Sequence, residues 1–182
     1  VEAIAMAYGI NGEGGSTGAT YRTRESESAL WRSLRLRRGR GASKWGFFLR
    51  AETMHGLYTY LEENPGRDAT LHEMSHGESF IEVLRTRFDG SGLYVLDEPE
   101  SALSMSGCLA LVGLINDLAK TGNAQALIAT HSPIIAAIPG ATILEVGDWG
   151  LRECAWDELE LVVAWKAFLN NPQGFLRHVI DH

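Results

Sequence analysis

The feature that most constrains the fold is an uninterrupted apolar run, residues 93–96, that ends directly on the acidic pair Asp97 and Glu98. Such a run is typical of a strand buried on both faces, as in a parallel sheet. Residues 126–129 form a second run of this kind, which ends two positions before His131. Because ligand sites lie at the carboxyl ends of parallel strands, we expect Asp97, Glu98 and His131 to share one site.

The segments around these runs alternate between helical and strand patterns. Residues 109–118 have apolar positions at helical spacing and are followed by Gly122, while residues 142–146 are typical of a third strand. Further helices are predicted over residues 1–7, 51–63, 79–88 and 157–170. This order favours an α/β fold with a three-layer parallel sheet flanked by helices. The 182 residues contain no repeat and no long linker, which predicts a single domain over 1–182.

Composition excludes several classes of protein. The chain is 45% apolar and 21% charged with five prolines, so it is expected to be globular rather than disordered. The longest nearly apolar stretch, 133–144, is shorter than the roughly 20 residues needed to span a bilayer. Two cysteines, Cys108 and Cys154, are too few for a disulfide framework. We therefore expect free thiols and a reducing, cytoplasmic location.

Positive charge is concentrated in residues 22–50, which hold nine basic and two acidic residues in a chain of net charge −7. Residues 33–38 and 45–50 are predicted to form an antiparallel hairpin joined by the glycine-containing loop 39–43. Alternation over 34–37 favours a half-buried strand with a solvated basic face. The alternative is contact with nucleic-acid phosphates. The arginines that would make it are Arg35, Arg37, Arg38 and Arg40.

The acidic pair after the first buried strand suggests a division of roles. Asp97 can hold a hydrated Mg²⁺, which prefers oxygen ligands, and Glu98 can position or deprotonate a water molecule. The alternatives are a salt bridge at the sheet edge for the pair and a turn residue for His131.

Four ordered motifs resemble those of ABC-class ATPases. Residues 93–100 are similar to the Walker B strand and catalytic glutamate, and residues 101–104 to the D-loop. Residues 129–133 resemble the switch-histidine motif, and residues 74–79 the signature motif. The chain looks less like a transporter subunit than like stand-alone bacterial predicted ATPases of the AAA-family label.

The resemblance implies ATP and Mg²⁺ as cofactors, an ATP-dependent homodimer and hydrolysis coupled to DNA handling or defence. Glu98 would polarise the attacking water, Asp97 would organise Mg²⁺ through water, and His131 would contact the γ-phosphate. Residues 50–52 would replace the family's glutamine-containing loop. The implied nucleotide contacts are Ser75, Gly77, Glu78, Ser101 and Ser104. Of these, Ser75 and Gly77 would act in trans, on the nucleotide bound by a second subunit.

The phosphate-binding pattern Gly-x-x-x-x-Gly-Lys-Ser/Thr does not occur in the 182 residues. Residues 12–18 contain glycines but no lysine and are predicted to be a flexible surface loop. Residues 1–5 resemble the helix that follows the P-loop, so we expect the gene to encode a strand and a P-loop upstream of Val1. The 182 residues would then be the C-terminal part of an ATPase head and inactive by themselves. The alternative is a docking or regulatory module without a P-loop.

A rival hypothesis is a zinc protease, because His72, Glu73 and His76 match the His-Glu-x-x-His pattern. That pattern requires a continuous helix. Gly77 follows it at once, and Ser75-x-Gly77 is interpreted instead as a break before the next helix.

Overall fold

The computed structural model describes residues 1–17, 29–50, 76–88 and 90–180, and of residues 76–80, 83, 102 and 178 only the backbone. The chain divides into two compact units, Val1–Thr130 and His131–His182. The prediction of a single domain stays a prediction.

The first unit contains a four-stranded mixed sheet in the order β1-β2-β3-β4. β2, β3 and β4 are parallel, and β1 pairs antiparallel with β2. The strands are β1 (Gly15–Ser16), β2 (Gly46–Arg50), β3 (Gly92–Asp97) and β4 (Ala124–Ala129). The helices are α1 (Glu2–Tyr8), α2 (His76–Arg87) and α3 (Met105–Lys120). The predicted α/β class and the two predicted parallel strands are confirmed. The predicted burial of residues 126–129 is wrong, because β4 is an edge strand and is partly exposed.

The core is centred on β3. Tyr94, Val95 and Leu96 are fully buried, as expected for an apolar strand between two parallel neighbours. Val95 belongs to a buried cluster with Ala5 of α1 and Phe48 of β2. The helix predicted over residues 109–118 is confirmed within α3, although Leu109, one of the apolar positions that predicted it, is 54% exposed. The buried positions of α3 recur at helical spacing. They are Cys108, Leu111, Ile115 and Leu118.

The predicted basic hairpin is wrong. Ala29–Ser33 is a 3₁₀ helix, and residues 34–39 form no strand. β2 pairs instead with β1 and β3. Arg38 contacts α1, because its guanidinium donates to the carbonyl of Tyr8 at 2.9 Å. Alternation favours an extended backbone, but it does not supply a partner strand.

The glycine-rich stretch 12–18 is also not a flexible surface loop over its described part. Residues 12–14 are buried, and Gly15 and Ser16 form β1. Thr17 extends the pairing, because its hydroxyl accepts from the Gly46 N–H at 2.6 Å. Buried polar backbone needs such partners, and β2 supplies them.

The second unit contains a small antiparallel sheet of β5 (Leu144–Gly147) and β6 (Gly150–Glu153). The predicted third strand therefore exists, but it does not belong to the parallel sheet. A 3₁₀ turn, Trp156–Glu158, leads to α4 (Glu160–Asn170), and α5 (Pro172–Ile180) follows. The predicted helix over 157–170 is confirmed apart from its first turn.

The remaining element predictions have mixed outcomes. The first predicted helix is confirmed as α1, which ends at Gly9 with a φ of 97°. The predicted helix over 51–63 lies outside the described residues. Cys108 and Cys154 are both free thiols, as predicted. In the part of the chain that the structure describes, no helix could cross a membrane.

Candidate functional site

The candidate site lies at the carboxyl edge of the parallel strands. Arg50, Asp97 and Ala129 are paired across β2, β3 and β4 in the strand register. The three strands therefore end side by side, as the sequence predicted for β3 and β4. Ligands of open α/β sheets bind at this edge.

A charge cluster joins this edge to α1. The Arg50 guanidinium donates from Nη1 to Glu2 Oε2 at 2.9 Å, and its Nε lies 3.8 Å from Asp97 Oδ2. The three side chains are only 22–28% exposed, so water screens them less than it screens surface pairs. The guanidinium holds two carboxylates that are distant in sequence at one place on the sheet edge.

One oxygen of this cluster stands out. Glu2 Oε1 is buried and has no hydrogen-bond partner among the described residues. A buried carboxylate oxygen without a donor is costly unless water or a cation reaches it. Glu2, Asp97 and Arg50 give this cluster a formal charge of −1, and Glu98, the next residue along the chain, carries a further exposed carboxylate. This charge and these oxygen donors suit a divalent cation such as Mg²⁺.

Glu98 has an unusual backbone. Its φ of 48° and ψ of 50° are left-handed, and it is the only non-glycine residue with positive φ in the described part of the chain. Its N–H donates to the Ala129 carbonyl at 2.9 Å, and its carbonyl accepts from the Ser101 N–H at 3.1 Å. Fully buried Pro99 follows and starts the 3₁₀ helix Pro99–Ala102.

The geometry at Glu98 costs about 1–2 kcal/mol for a residue with a Cβ. Hydrogen bonds on both sides and the fixed φ of the following proline hold the backbone there. Glu98 itself is exposed. The chain therefore turns sharply at the end of β3 and presents Glu98 at the sheet edge, and strain of this kind is concentrated at functional sites.

The two predicted D-loop serines lie just beyond this turn, and both are exposed. Ser101 belongs to the 3₁₀ helix Pro99–Ala102. Ser104 is the N-cap of α3: its hydroxyl accepts from the Gly107 N–H at 3.2 Å and lies 2.8 Å from the Ser106 hydroxyl. Ser104 therefore has a structural role as a cap.

His131 follows β4 by two residues and opens the second unit. It is exposed. Next to it, the hydroxyl of buried Ser132 accepts from the Ile135 N–H at 3.4 Å, and Ile135–Ala137 forms a single 3₁₀ turn. The convergence of His131 with the acidic pair stays a prediction.

The signature segment is only partly described. Gly77 and Glu78 lie inside α2, which spans His76–Arg87, so the predicted loop ahead of a helix at Ser79 is wrong at these positions. Ser75 lies outside the described residues, as do His72 and Glu73 of the zinc hypothesis. Because α2 runs through Gly77, the glycine is no argument against a helical His-Glu-x-x-His.

Direct metal ligands do not converge anywhere in the described ranges, the sheet edge included. No group of three His, Cys, Asp or Glu side chains there could hold a metal ion directly. A cation at the sheet edge would therefore be held largely through water, as a hydrated Mg²⁺ is.

Sequence reasoning missed Glu2 as a member of this cluster. It lies 48 positions before Arg50, and no local pattern connects the two. Arg50 itself was predicted only as the start of a loop that replaces the glutamine-containing one.

Comparison with models of known protein families gave no match for this chain, and comparison with curated proteins gave none either.

Proposed function

We propose that the chain is the catalytic part of an ABC-type ATPase that hydrolyses ATP with Mg²⁺. The observation that carries the proposal is the strained turn at Glu98, directly after Asp97 at the carboxyl end of the central strand. The four ordered motifs in the sequence, which resemble those of ABC-class ATPases, support the same proposal.

Asp97 and the orphaned Glu2 oxygen are the groups that would hold a hydrated Mg²⁺. The ion would offset the negative charge of the phosphates. Arg50 has two roles in this arrangement: it keeps the carboxylates of Glu2 and Asp97 in place, and its positive charge offsets one of their two negative charges.

Glu98 is proposed to orient and deprotonate the water that attacks the γ-phosphorus in line. The attack forms the new P–O bond, breaks the bond to the bridging oxygen of ADP and releases inorganic phosphate. The backbone of Glu98 is fixed by hydrogen bonds on both sides. Such fixation reduces the reorganisation needed in the transition state.

The other proposed roles rest on the resemblance. His131 would contact the γ-phosphate, and Glu78 would contact the nucleotide. Ser75 and Gly77 would act on the nucleotide of a second subunit in an ATP-dependent homodimer. We propose a cytoplasmic location, because the two cysteines are free thiols. DNA handling or defence is the proposed process.

The test uses the protein encoded by the complete reading frame. Phosphate release is measured with saturating ATP and Mg²⁺ for the wild type, for Glu98→Gln and for Glu153→Gln. Glu153 is an exposed glutamate on β6 and serves as the charge-matched control. We expect Glu98→Gln to lower turnover by about 10²-fold or more while ATP binding and dimer formation persist.

Glu153→Gln is expected to keep wild-type turnover. If Glu98→Gln also hydrolyses ATP within twofold of the wild-type rate, Glu98 does not have the proposed role. If the wild type releases no phosphate, the chain is not an ATPase.

A further inference from the structure

The first unit has a cavity of about 800 Å³ at the opposite end of its sheet. Gly92 and Ala124, the first residues of β3 and β4, contribute to its wall. Asp97 ends β3 five residues further on, about 16 Å away along the strand. The cavity is therefore distinct from the proposed ATPase site, and its volume is within the range typical of ligand sites.

The wall of this cavity is fixed by Tyr8. The Tyr8 hydroxyl donates to the carbonyl of Ser43 at 2.6 Å, which ties α1 to the segment before β2. Arg38 lies over the Tyr8 ring at 4.1 Å from its centroid and donates to the Tyr8 carbonyl. This arginine is thus used to build the rim, and the polar network holds the otherwise irregular segment 36–43 in place.

Two further arginines on the rim are not used in this way. Arg37 and Arg40 line the cavity, and neither has a hydrogen bond or an ion pair within the described ranges of the chain. The lining residues contain three arginines and no acidic residue. Guanidinium groups without partners recognise phosphate in particular, since their fork of N–H donors matches its oxygens.

The lining of the cavity also includes apolar residues. Ile4, Leu93 and Leu127, here called the apolar wall, line it together with Ser43 and Asn123. Apolar residues and arginines in one lining fit a ligand that carries both a flat ring and a phosphate. A free inorganic anion would leave the apolar wall unused.

We propose that this cavity binds a nucleoside monophosphate unit, with the phosphate at Arg37 and Arg40 and the base against the apolar wall. The unit is either a free nucleotide or a residue of a single strand of nucleic acid. The proposal does not depend on the ATPase function, because it involves no residue of the carboxyl edge.

The test measures binding of a fluorescein-labelled oligothymidylate to the 182-residue chain by anisotropy, with unlabelled dTMP as competitor. The variants are Arg37→Ala with Arg40→Ala, and Ala42→Trp, which fills the rim without changing the charge. The matched control is Arg32→Ala with Arg85→Ala, which removes the same charge from exposed residues of the first unit outside the cavity lining.

We expect the Arg37 and Arg40 variant and Ala42→Trp each to weaken binding about tenfold or more, as the removal of one charge-assisted hydrogen bond would. The control should stay within about twofold. For the strand, the log–log slope of affinity against salt should fall by about 0.7 for each phosphate that the variant no longer neutralises. Competition by dTMP identifies the free nucleotide as sufficient, and binding of the strand alone identifies the strand.

The proposal is overturned if neither probe binds. It is also overturned if the control pair weakens binding as much as the cavity pair, or if Ala42→Trp leaves binding unchanged. Either result would make the arginines a nonspecific basic surface.

Discussion

Glu98 offers a test in which the loss of a side chain should raise stability. Its left-handed φ of 48° costs about 1–2 kcal/mol with a Cβ present. Glycine removes that cost. Its greater conformational freedom in the unfolded chain, however, lowers the free energy of unfolding by about 0.5–1 kcal/mol. Glu98→Gly is therefore expected to exceed Glu98→Ala in free energy of unfolding by about 0.5–1 kcal/mol.

The assay is urea denaturation followed by far-UV circular dichroism. Because both variants lack the carboxylate, their difference isolates the backbone contribution. Glu100 is the control position: its φ is not positive, so Glu100→Gly should be less stable than Glu100→Ala by about 0.5–1 kcal/mol. If Glu98→Gly is no more stable than Glu98→Ala, the strained turn does not exist in the folded protein.

Two further predictions concern other parts of the fold. A Cβ at Gly92 would lie 2.7 Å from a backbone carbonyl oxygen, whereas nothing lies within 4 Å of one at Gly113. Gly92→Ala should therefore lower the free energy of urea unfolding by about 1–3 kcal/mol and Gly113→Ala should raise it by about 0.5–1 kcal/mol. If both substitutions change the free energy of unfolding equally, the backbone carbonyl oxygen does not approach Gly92 as closely as described. In the second unit, the backbone N–H of Glu160 and the Arg152 guanidinium lower the pKa of Glu145. Its contribution to stability is thus present above the ordinary pKa of a glutamate and is lost as the pH falls through the lowered pKa. In Glu145→Gln the melting temperature should therefore fall less steeply than in the wild type as the pH is lowered below about 4.5. The same fall in both proteins would refute this prediction.

The sequence predicted the elements whose pattern is local. Residues 93–96 and 126–129 form neighbouring parallel strands, as their apolar runs predicted. Residues 93–96 are buried, as expected of a strand between two neighbours, whereas 126–129 belong to the edge strand and are partly exposed. Gly9 and Gly122 end their helices in left-handed conformations that glycine adopts without steric cost. The turn at Asp97 and Glu98 follows from the same local signals, since an acidic pair and a proline close an apolar run.

Pairing between distant segments could not be predicted in this way. The alternation at 34–37 favours an extended chain, yet β2 finds its partners at Gly15–Ser16 and Gly92–Asp97. Likewise, the strand at 144–147 pairs with the strand that follows it, Gly150–Glu153, rather than with the parallel sheet. The contribution of Glu2 to the charge cluster depends on the packing of α1, for which the sequence holds no spacing signal.

In the proposed function, Mg²⁺ and ATP bind together at the carboxyl edge of β3. Fe²⁺ supplied in place of Mg²⁺, with ATP, ascorbate and peroxide, cleaves a polypeptide next to the site where the ion binds. The protein from the complete reading frame is treated in this way, and its fragments are identified by mass. We expect ATP-dependent cleavage beside Asp97 and Glu98, and we expect it to disappear in Asp97→Asn. Cleavage only elsewhere, or cleavage that persists in Asp97→Asn, would contradict it.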